Sequence, residues 1–240
     1  MSNTKSGTIP TRRVLLVATL AAFLLPQAQM VRAAIVGVDI EAGNGSPINW
    51  TSYTLADVGN TESNLIDENG AVTNISFQLS GPNSNQYFPP SSPTIIPSHS
   101  NDLTTVCCDV VAGGPEPYTT LWSGLVPNAA YDYWIFTSSA STDFFTITGS
   151  TTDNFVSSPI GHTEQRINGV VGSSSSTFAS YSRQVNASAS GTIVILQSAT
   201  GTPTPSGYAV QLAIPEPASF TLLSLGLVAA GCLKRRRPMK

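Results

Sequence analysis

The sequence predicts an all-β fold: a single antiparallel β-sandwich of jelly-roll type, flanked by an N-terminal signal peptide and a C-terminal transmembrane helix. Three observations favour the sandwich. The central part of this 240-residue chain is rich in Thr, Ser, Val and aromatic residues and poor in Lys, which suits strands better than helices. It has no long stretch with apolar residues at helical spacing. Its apolar runs are short and are separated by Gly, Pro and Asn.

Nine short runs are predicted to be strands because they alternate apolar and polar residues or are rich in β-branched ones. Their spacing favours one antiparallel sandwich. The five prolines between Ser80 and Ser100 exclude a central strand in that stretch. The predicted strands are Ala34–Ile40, Trp50–Leu55, Val72–Leu79, Thr119–Leu125, Ala130–Ser138, Phe144–Gly149, Thr177–Gln184, Gly191–Gln197 and Tyr208–Ile214.

The run Ala130–Ser138 places aromatic side chains on both of its faces. Trp134 and Phe136 fall on one face, and Tyr131 and Tyr133 fall on the other. Because successive side chains of a strand point to opposite faces, we expect this strand to be central and covered on both sides.

The segment Leu121–Asp132 combines a strand, a Pro-Asn turn and a strand that starts at Tyr131, which predicts a hairpin-like corner. It resembles the corner of fibronectin-like and galactose-binding-type sandwiches of bacterial surfaces. The run Ser206–Leu212 resembles the closing strand of the jelly-roll version. These resemblances imply a fold and no activity.

Residues 1–33 read as an export signal peptide. The apolar run Val14–Leu25 is too short to span a membrane comfortably. Val31 and Ala33 offer modest or small residues at the −3 and −1 positions, so we expect cleavage between Ala33 and Ala34. The adjacent Arg12 and Arg13 leave a twin-arginine route open beside the general export translocon. The cations that precede the apolar run are Lys5, Arg12 and Arg13.

The last 27 residues, 214–240, combine a helix breaker, an apolar run and a block of cations. Ala218–Leu233 contains 16 residues and no charge, so as a helix it extends about 24 Å, enough to enter a bilayer. Its expected membrane anchor positions include Ala218, Leu222, Leu225 and Leu233. The cations are Lys234, Arg235, Arg236 and Arg237, which the positive-inside rule places in the cytoplasm. The alternative is a buried core helix.

Directly before the apolar run stands Pro215-Glu216-Pro217. The tripeptide, the apolar run and the cations, in this order, resemble the PEP-CTERM sorting signal of bacterial surface proteins. The resemblance implies that a membrane-embedded exosortase recognises and processes this tail. It also implies that none of the tail residues is catalytic, because the chain is the substrate of the sorting enzyme.

The remaining domain, residues 34–213, is strongly acidic. It contains only Arg166 and Arg183 against thirteen Asp and Glu residues, a net charge of −11. Nucleic-acid binding depends on cations that meet phosphates, so we expect no nucleic-acid partner. A purely electrostatic grip on anionic lipid is excluded for the same reason.

No motif for catalysis or metal binding stands out in this domain. His99 and His162 are its histidines, and only His162 is worth testing as a base. Asp39 and Glu41 would share a strand face, as the paired carboxylates of a glycosidase require. The run Asp67-Glu68-Asn69-Gly70 could hold calcium but lacks the spacing of an EF-hand loop. We therefore predict no catalytic residues, no metal site and no cofactor, with calcium left open.

Cys107 and Cys108 are adjacent, and Cys232 lies in the tail, so the spacing does not indicate a disulfide framework. A bond between Cys107 and Cys108, an intermolecular bridge and packed free thiols all remain open. Aromatic residues could stack on sugars, although we expect most of them in the core and Tyr87, Phe88 and Tyr118 at the surface. The other candidate aromatics are Trp50, Trp122, Trp134, Tyr131 and Tyr133.

Together these observations predict an exported, non-enzymatic protein of the cell surface or extracellular matrix. It would be anchored transiently in the inner membrane, processed by an exosortase, and structural or associated with extracellular polysaccharide. The alternatives are a secreted hydrolase or esterase that acts on polysaccharide, and a calcium- or carbohydrate-binding module.

Overall fold

The computed structural model describes residues 33–41, 46–82, 85–87, 109–111, 116–138, 140–159, 166–173 and 176–213. Residues Ala33–Ile214 form one compact unit. The strands in the described part are β1 Val36–Glu41, β2 Thr51–Thr54, β3 Thr61–Glu62, β4 Ser76–Ser80, β5 Asn85–Tyr87, β6 Asp109–Val111, β7 Tyr118–Ser123, β8 Ala130–Thr137, β9 Asp143–Thr148, β10 Thr152–Ser157, β11 Arg166–Ile167, β12 Val170–Val171, β13 Arg183–Asn186, β14 Ile193–Ala199 and β15 Pro205–Leu212. Short 3₁₀ turns occupy Leu55–Asp57 and Phe178–Tyr181.

Seven strands form the first sheet, called sheet I, in the order β12-β11-β8-β15-β1-β2. The seventh strand, β13, pairs with the first half of β8, and β11 pairs with the second half of β8 along the same edge. All of these pairs are antiparallel except β1 with β2, which run parallel. The first strand of the domain therefore lies beside the last, with Val36 opposite Val210.

Six strands form the second sheet, called sheet II, in the order β10-β9-β14-β7-β4-β3, and every pair in it is antiparallel. A separate two-stranded ribbon joins β5 and β6. The described part is thus all-β and built from two sheets that are rich in antiparallel pairs, as the sequence predicts. The parallel β1–β2 pair departs from the purely antiparallel expectation.

The main core lies between the two sheets, where inward side chains from both interdigitate. Phe77 sits at its centre, with ring contacts to Tyr53 at 5.1 Å and to Trp122 at 5.0 Å between centroids. Both pairs meet edge to face, which adds stability beyond the area that they bury. Burial of these aromatics and of the β-branched residues around them is the main term that holds the sheets together.

A second, smaller core covers the outer face of sheet I. Trp134 stacks on Phe178 at 4.6 Å between centroids and donates its indole N–H to the Phe178 carbonyl at 3.0 Å. On the same face, Trp50 lies over Gly37 so closely that a Cβ on Gly37 would be 2.2 Å from the indole. Strand β8 is therefore central and covered on both faces, as its two aromatic faces predict.

The structure corrects two further expectations. The strands on either side of the Pro127-Asn128 turn, β7 and β8, belong to different sheets, so the turn is a crossing between sheets and not a hairpin. Asn128 adopts a left-handed φ of 59°, and the Tyr131 hydroxyl accepts the Val126 N–H at 2.9 Å. The predicted strand Thr177–Gln184 instead begins with the 3₁₀ turn Phe178–Tyr181, and only its end joins β13.

Candidate functional site

Both ends of the folded unit emerge together. The Ala33 carbonyl accepts a hydrogen bond from the side-chain amide of Gln211, and the Ala213 N–H donates to Ala130 at 2.9 Å. A cleft of about 320 Å³ opens at this end of the sandwich, with Ala34 and Leu212 in its lining. The expected cleavage position at Ala33 and Ala34 and the last described residue, Ala213, therefore lie at the same end of the domain.

The carboxylates of Asp67 and Glu68 accept hydrogen bonds from the backbone at this end. The Asp67 carboxylate accepts the N–H groups of Asn69 and Ala71, both at 2.9 Å, and so closes its own turn. The Glu68 carboxylate accepts the Ile35 N–H at 3.1 Å and ties down the start of β1. Among the described residues, no cluster of three or more His, Cys, Asp or Glu side chains is placed to hold a metal ion.

Of the candidate carboxylate pair Asp39 and Glu41 on β1, the structure describes the side chain of Asp39 alone. Asp39 is fully buried, on the face of sheet I opposite to the main core, because Val38 and Ile40 point inward. A carboxylate without solvent access cannot meet a polysaccharide without local opening. The side chain of Glu41 lies outside the described residues, as do His99, His162, Cys107 and Cys108.

Most of the candidate sugar-stacking aromatics are core residues. Trp122, Tyr118 and Tyr133 are fully buried, and Trp50 and Trp134 retain at most 5% exposure. The expectation that Tyr118 is exposed is wrong, because it points into the main core and its hydroxyl donates to the Pro82 carbonyl at 3.0 Å. The side chain of Tyr87 and the whole of Phe88 fall outside the described residues.

A charged cluster that the sequence did not reveal joins the two sheets. Arg183 of β13 donates from Nε and Nη2 to the two carboxylate oxygens of Asp153 on β10, both at 2.7 Å. The buried Tyr133 hydroxyl donates to the same carboxylate at 2.7 Å, and the guanidinium lies 5.2 Å from the centre of the Phe155 ring. We call Asp153, Arg183, Tyr133 and Phe155 the inter-sheet latch.

The surroundings of the latch lower the pKa of Asp153 and raise the pKa of Tyr133. The hydrogen bonds from Arg183 lower the pKa of Asp153 below its ordinary value. Burial, followed by the hydrogen bond to Asp153, raises the pKa of Tyr133. Asp153 is thus held as a carboxylate and Tyr133 as a neutral phenol. Asp153 accepts hydrogen bonds from both Tyr133 and Arg183. This arrangement is typical of a structural cluster and not of a reactive one.

The outer face of sheet II carries exposed apolar side chains on three of its strands. Phe144 on β9 is 44% exposed, Val156 on β10 is 53% exposed and Leu196 on β14 is 42% exposed. This group is not evident from the sequence because Phe144 and Phe145 are adjacent, and alternation alone does not say which one is inside. Phe145 is the buried partner.

A second Pro-Glu-Pro tripeptide lies inside the domain, at residues 115–117, immediately before β7. Glu116 and Pro117 are exposed. The strand that follows carries polar residues, and no apolar run or cation block comes after this tripeptide. It offers an internal comparison for the tripeptide at residues 215–217.

The predicted membrane helix Ala218–Leu233, the cations Lys234–Arg237 and residues 1–32 of the predicted signal peptide lie outside the described residues. Within the part that the structure describes, no helix has the length and apolar character needed to cross a bilayer.

Comparison with curated proteins gives no significant match. Among solved structures, the chain is similar to the CBM35 from Cellvibrio japonicus Abf62, with 12% identity over 56% of this chain and 91% of that one and a TM-score of 0.29. At these values the similarity carries no argument about function. A family model described as the PEP-CTERM protein-sorting motif matches residues 213–237. The chain therefore carries a PEP-CTERM sorting motif at its C-terminal end, the mark of an exported protein that an exosortase processes.

Proposed function

We propose that this protein is a non-enzymatic component of the cell surface or extracellular matrix, and that its β-sandwich is structural or associates with extracellular polysaccharide. The sorting motif at residues 213–237 carries the proposal, because it implies export, exosortase processing and sorting to the cell envelope. The export translocon delivers the chain, and Ala218–Leu233 holds it in the inner membrane, with Lys234–Arg237 inside, until processing.

The positions of the chain ends support this route. Among the described residues, the last backbone hydrogen bond of the sandwich is donated by Ala213, two residues before Pro215, a distance of at most about 7 Å along an extended chain. Processing in the tail leaves β15 and its pairs with β1 and β8 intact. The sandwich can therefore pass from the anchored to the processed form without refolding.

Substitution of the tail tripeptide tests the sorting step. We expect Pro215-Glu216-Pro217 changed to three alanines to remain unprocessed in the inner membrane, while the wild type loses its tail. Pro115-Glu116-Pro117 changed to three alanines is the matched control, because it removes the same tripeptide without the apolar run and cations, and it should be processed normally. Immunoblots of membrane and released fractions report both. Normal release of the tail variant would refute the sorting step.

The absence of catalysis is tested separately. Three of the carboxylates that the sequence offered have structural positions: Asp39 is buried, and Asp67 and Glu68 accept backbone N–H groups. We expect no turnover of glycoside or ester substrates by the purified protein. Turnover that Asp39→Asn or His162→Ala abolishes would overturn the proposal in favour of a hydrolase.

A further inference from the structure

The outer faces of the two sheets differ in how far other residues cover them. That of sheet I is covered by its own second core, in which Trp50, Phe178 and Tyr181 are buried. On sheet II, the outward side chains of β4, β7, β14, β9 and β10 are all exposed or half-buried. A five-stranded face of this kind is broad enough to receive a ligand.

This face carries no formal charge. The outward residues of the five strands are Ser, Thr, Asn, Gln, Leu, Val and Phe only. The rest of the domain is acidic, with a net charge of −11 between residues 34 and 213. An anionic polymer would be repelled on approach, because charges within about 8 Å are poorly screened at physiological ionic strength. An uncharged partner meets no such barrier.

The exposed apolar side chains are neighbours on this face. Val156 lies opposite Phe144 on the adjacent strand, a pairing that places side chains about 5 Å apart. Leu196 lies opposite Thr146, two residues along β9 from Phe144, on the same face. Hydroxyl and amide groups surround the three, among them Asn154, Thr146 and Ser198.

The size of the face argues against a second copy of the chain as its occupant. A stable protein interface takes about 20–30 residues from each side, and the five strands offer fifteen outward residues. Three half-exposed apolar side chains also give less apolar contact than the core of an obligate dimer needs.

We propose that the outer face of sheet II binds a neutral polysaccharide chain, with Phe144 at the centre of the contact. This site deepens the proposed function and rests on it. The apolar face of a sugar ring packs on Phe144, Val156 and Leu196. Sugar hydroxyls exchange hydrogen bonds with the surrounding Ser, Thr and Asn side chains, which both donate and accept.

The proposal is tested by measuring polysaccharide binding of the protein recovered after export from cells. Affinity electrophoresis through gels that contain dextran, laminarin or a soluble cellulose derivative without charge measures binding, and alginate serves as the anionic comparison. We expect retardation in at least one neutral polysaccharide and none in alginate. Phe144→Ala should weaken binding roughly tenfold, and Thr146→Glu, which adds a charge to the face, should weaken it as well. Val72→Ala, at a residue that is 73% exposed and forms an isolated bridge with Ile66 outside the five strands of this face, is the matched control and should bind like the wild type.

Three other outcomes would contradict the proposed site. If the wild type binds a neutral polysaccharide and both face variants bind equally well, the site is wrong but the polysaccharide association stands. If the wild type binds none of the polysaccharides tested, the glycan site is refuted, and only the structural form of the proposed function stands. If sedimentation shows a wild-type dimer that Phe144→Ala dissociates, the face is a self-association surface and the glycan proposal is overturned.

Discussion

The inter-sheet latch should couple strands β10 and β13 energetically, and a double-mutant cycle measures that coupling. Arg183→Ala removes two charge-assisted hydrogen bonds to Asp153 and the cation–π contact with Phe155. The Arg183 side chain is 37% exposed and that of Asp153 is 22% exposed, so solvent screening reduces the value of the pair. We expect Arg183→Ala to lower the free energy of unfolding by about 1–2 kcal/mol.

Asp153→Ala should cost more, about 2–4 kcal/mol, because it leaves the buried Tyr133 hydroxyl without its acceptor as well as freeing Arg183. The double variant should then be less destabilised than the sum of the two, with a coupling energy of about 1 kcal/mol. Urea denaturation of the exported domain measures all three. Gln184→Ala is the matched control: it removes an exposed hydrogen bond to Asp132 at 3.3 Å across the neighbouring β13–β8 pair and should cost under about 0.5 kcal/mol.

The same cycle has a defined pH dependence. Arg183 lowers the pKa of Asp153 below its ordinary value of 3.8, so the unfolded chain takes up this proton at a higher pH than the folded one does. The contribution of the pair is therefore complete above about pH 4 and is lost as the pH falls through the folded pKa. A coupling energy indistinguishable from zero at pH 7, or one that persists unchanged at pH 2, would refute the latch.

Two further predictions concern the cores. Gly37→Ala places a Cβ 2.2 Å from the Trp50 indole and should lower the free energy of unfolding, measured by urea denaturation, by about 1–3 kcal/mol. Gly201→Ala should cost less, because its Cβ would meet only the Ser141 side chain, with the movable hydroxyl at 2.4 Å. Equal costs for the two variants would contradict the packing of Trp50. Burial raises the pKa of Tyr118 to about 12, so its contribution to stability is complete below about pH 10 and is lost as the pH rises through the folded pKa. The part of the phenolate absorbance that Tyr118→Phe removes should therefore appear in step with loss of the β-sheet circular dichroism signal, and its appearance in the still-folded protein near pH 10 would contradict this burial. The tyrosines whose pKa burial also raises are Tyr53, Tyr131, Tyr133 and Tyr208.

Much of the sandwich was predictable because its central strands have clear patterns. The aromatic faces of Ala130–Ser138 indicated a strand covered on both sides, and β8 lies in that position. Strand β10, Thr152–Ser157, was missed because its run Thr-Asp-Asn-Phe-Val-Ser has few apolar residues. Its inward Asp153 is accommodated by Arg183, a partner 30 residues away that local pattern cannot reveal.

The segment Thr177–Gln184 shows how local hydrogen bonds can override a strand pattern. The Ser180 hydroxyl donates to the Thr177 carbonyl at 2.6 Å, and the Ser182 hydroxyl donates to the Ala179 carbonyl at 2.9 Å. Side-chain bonds of this kind compete with strand pairing, and they accompany a 3₁₀ turn that carries Phe178 onto Trp134. The candidate site was less predictable than the fold, because exposure of Phe144 depends on which face of sheet II remains uncovered.

The pairing of β1 with β15 has a consequence for the order of events during export. Val36 and Val210 are neighbours in sheet I although 174 positions separate them in the chain, and contacts of such long sequence separation form late and slowly. A chain that crosses the membrane N-terminus first cannot complete sheet I until β15 has emerged. On the proposed route the sorting tail has by then reached the membrane, so the sandwich would close while the chain is still tethered at its C-terminal end. Such tethering would keep each slow-folding chain apart from its neighbours in the period when its unpaired strands are most prone to aggregate.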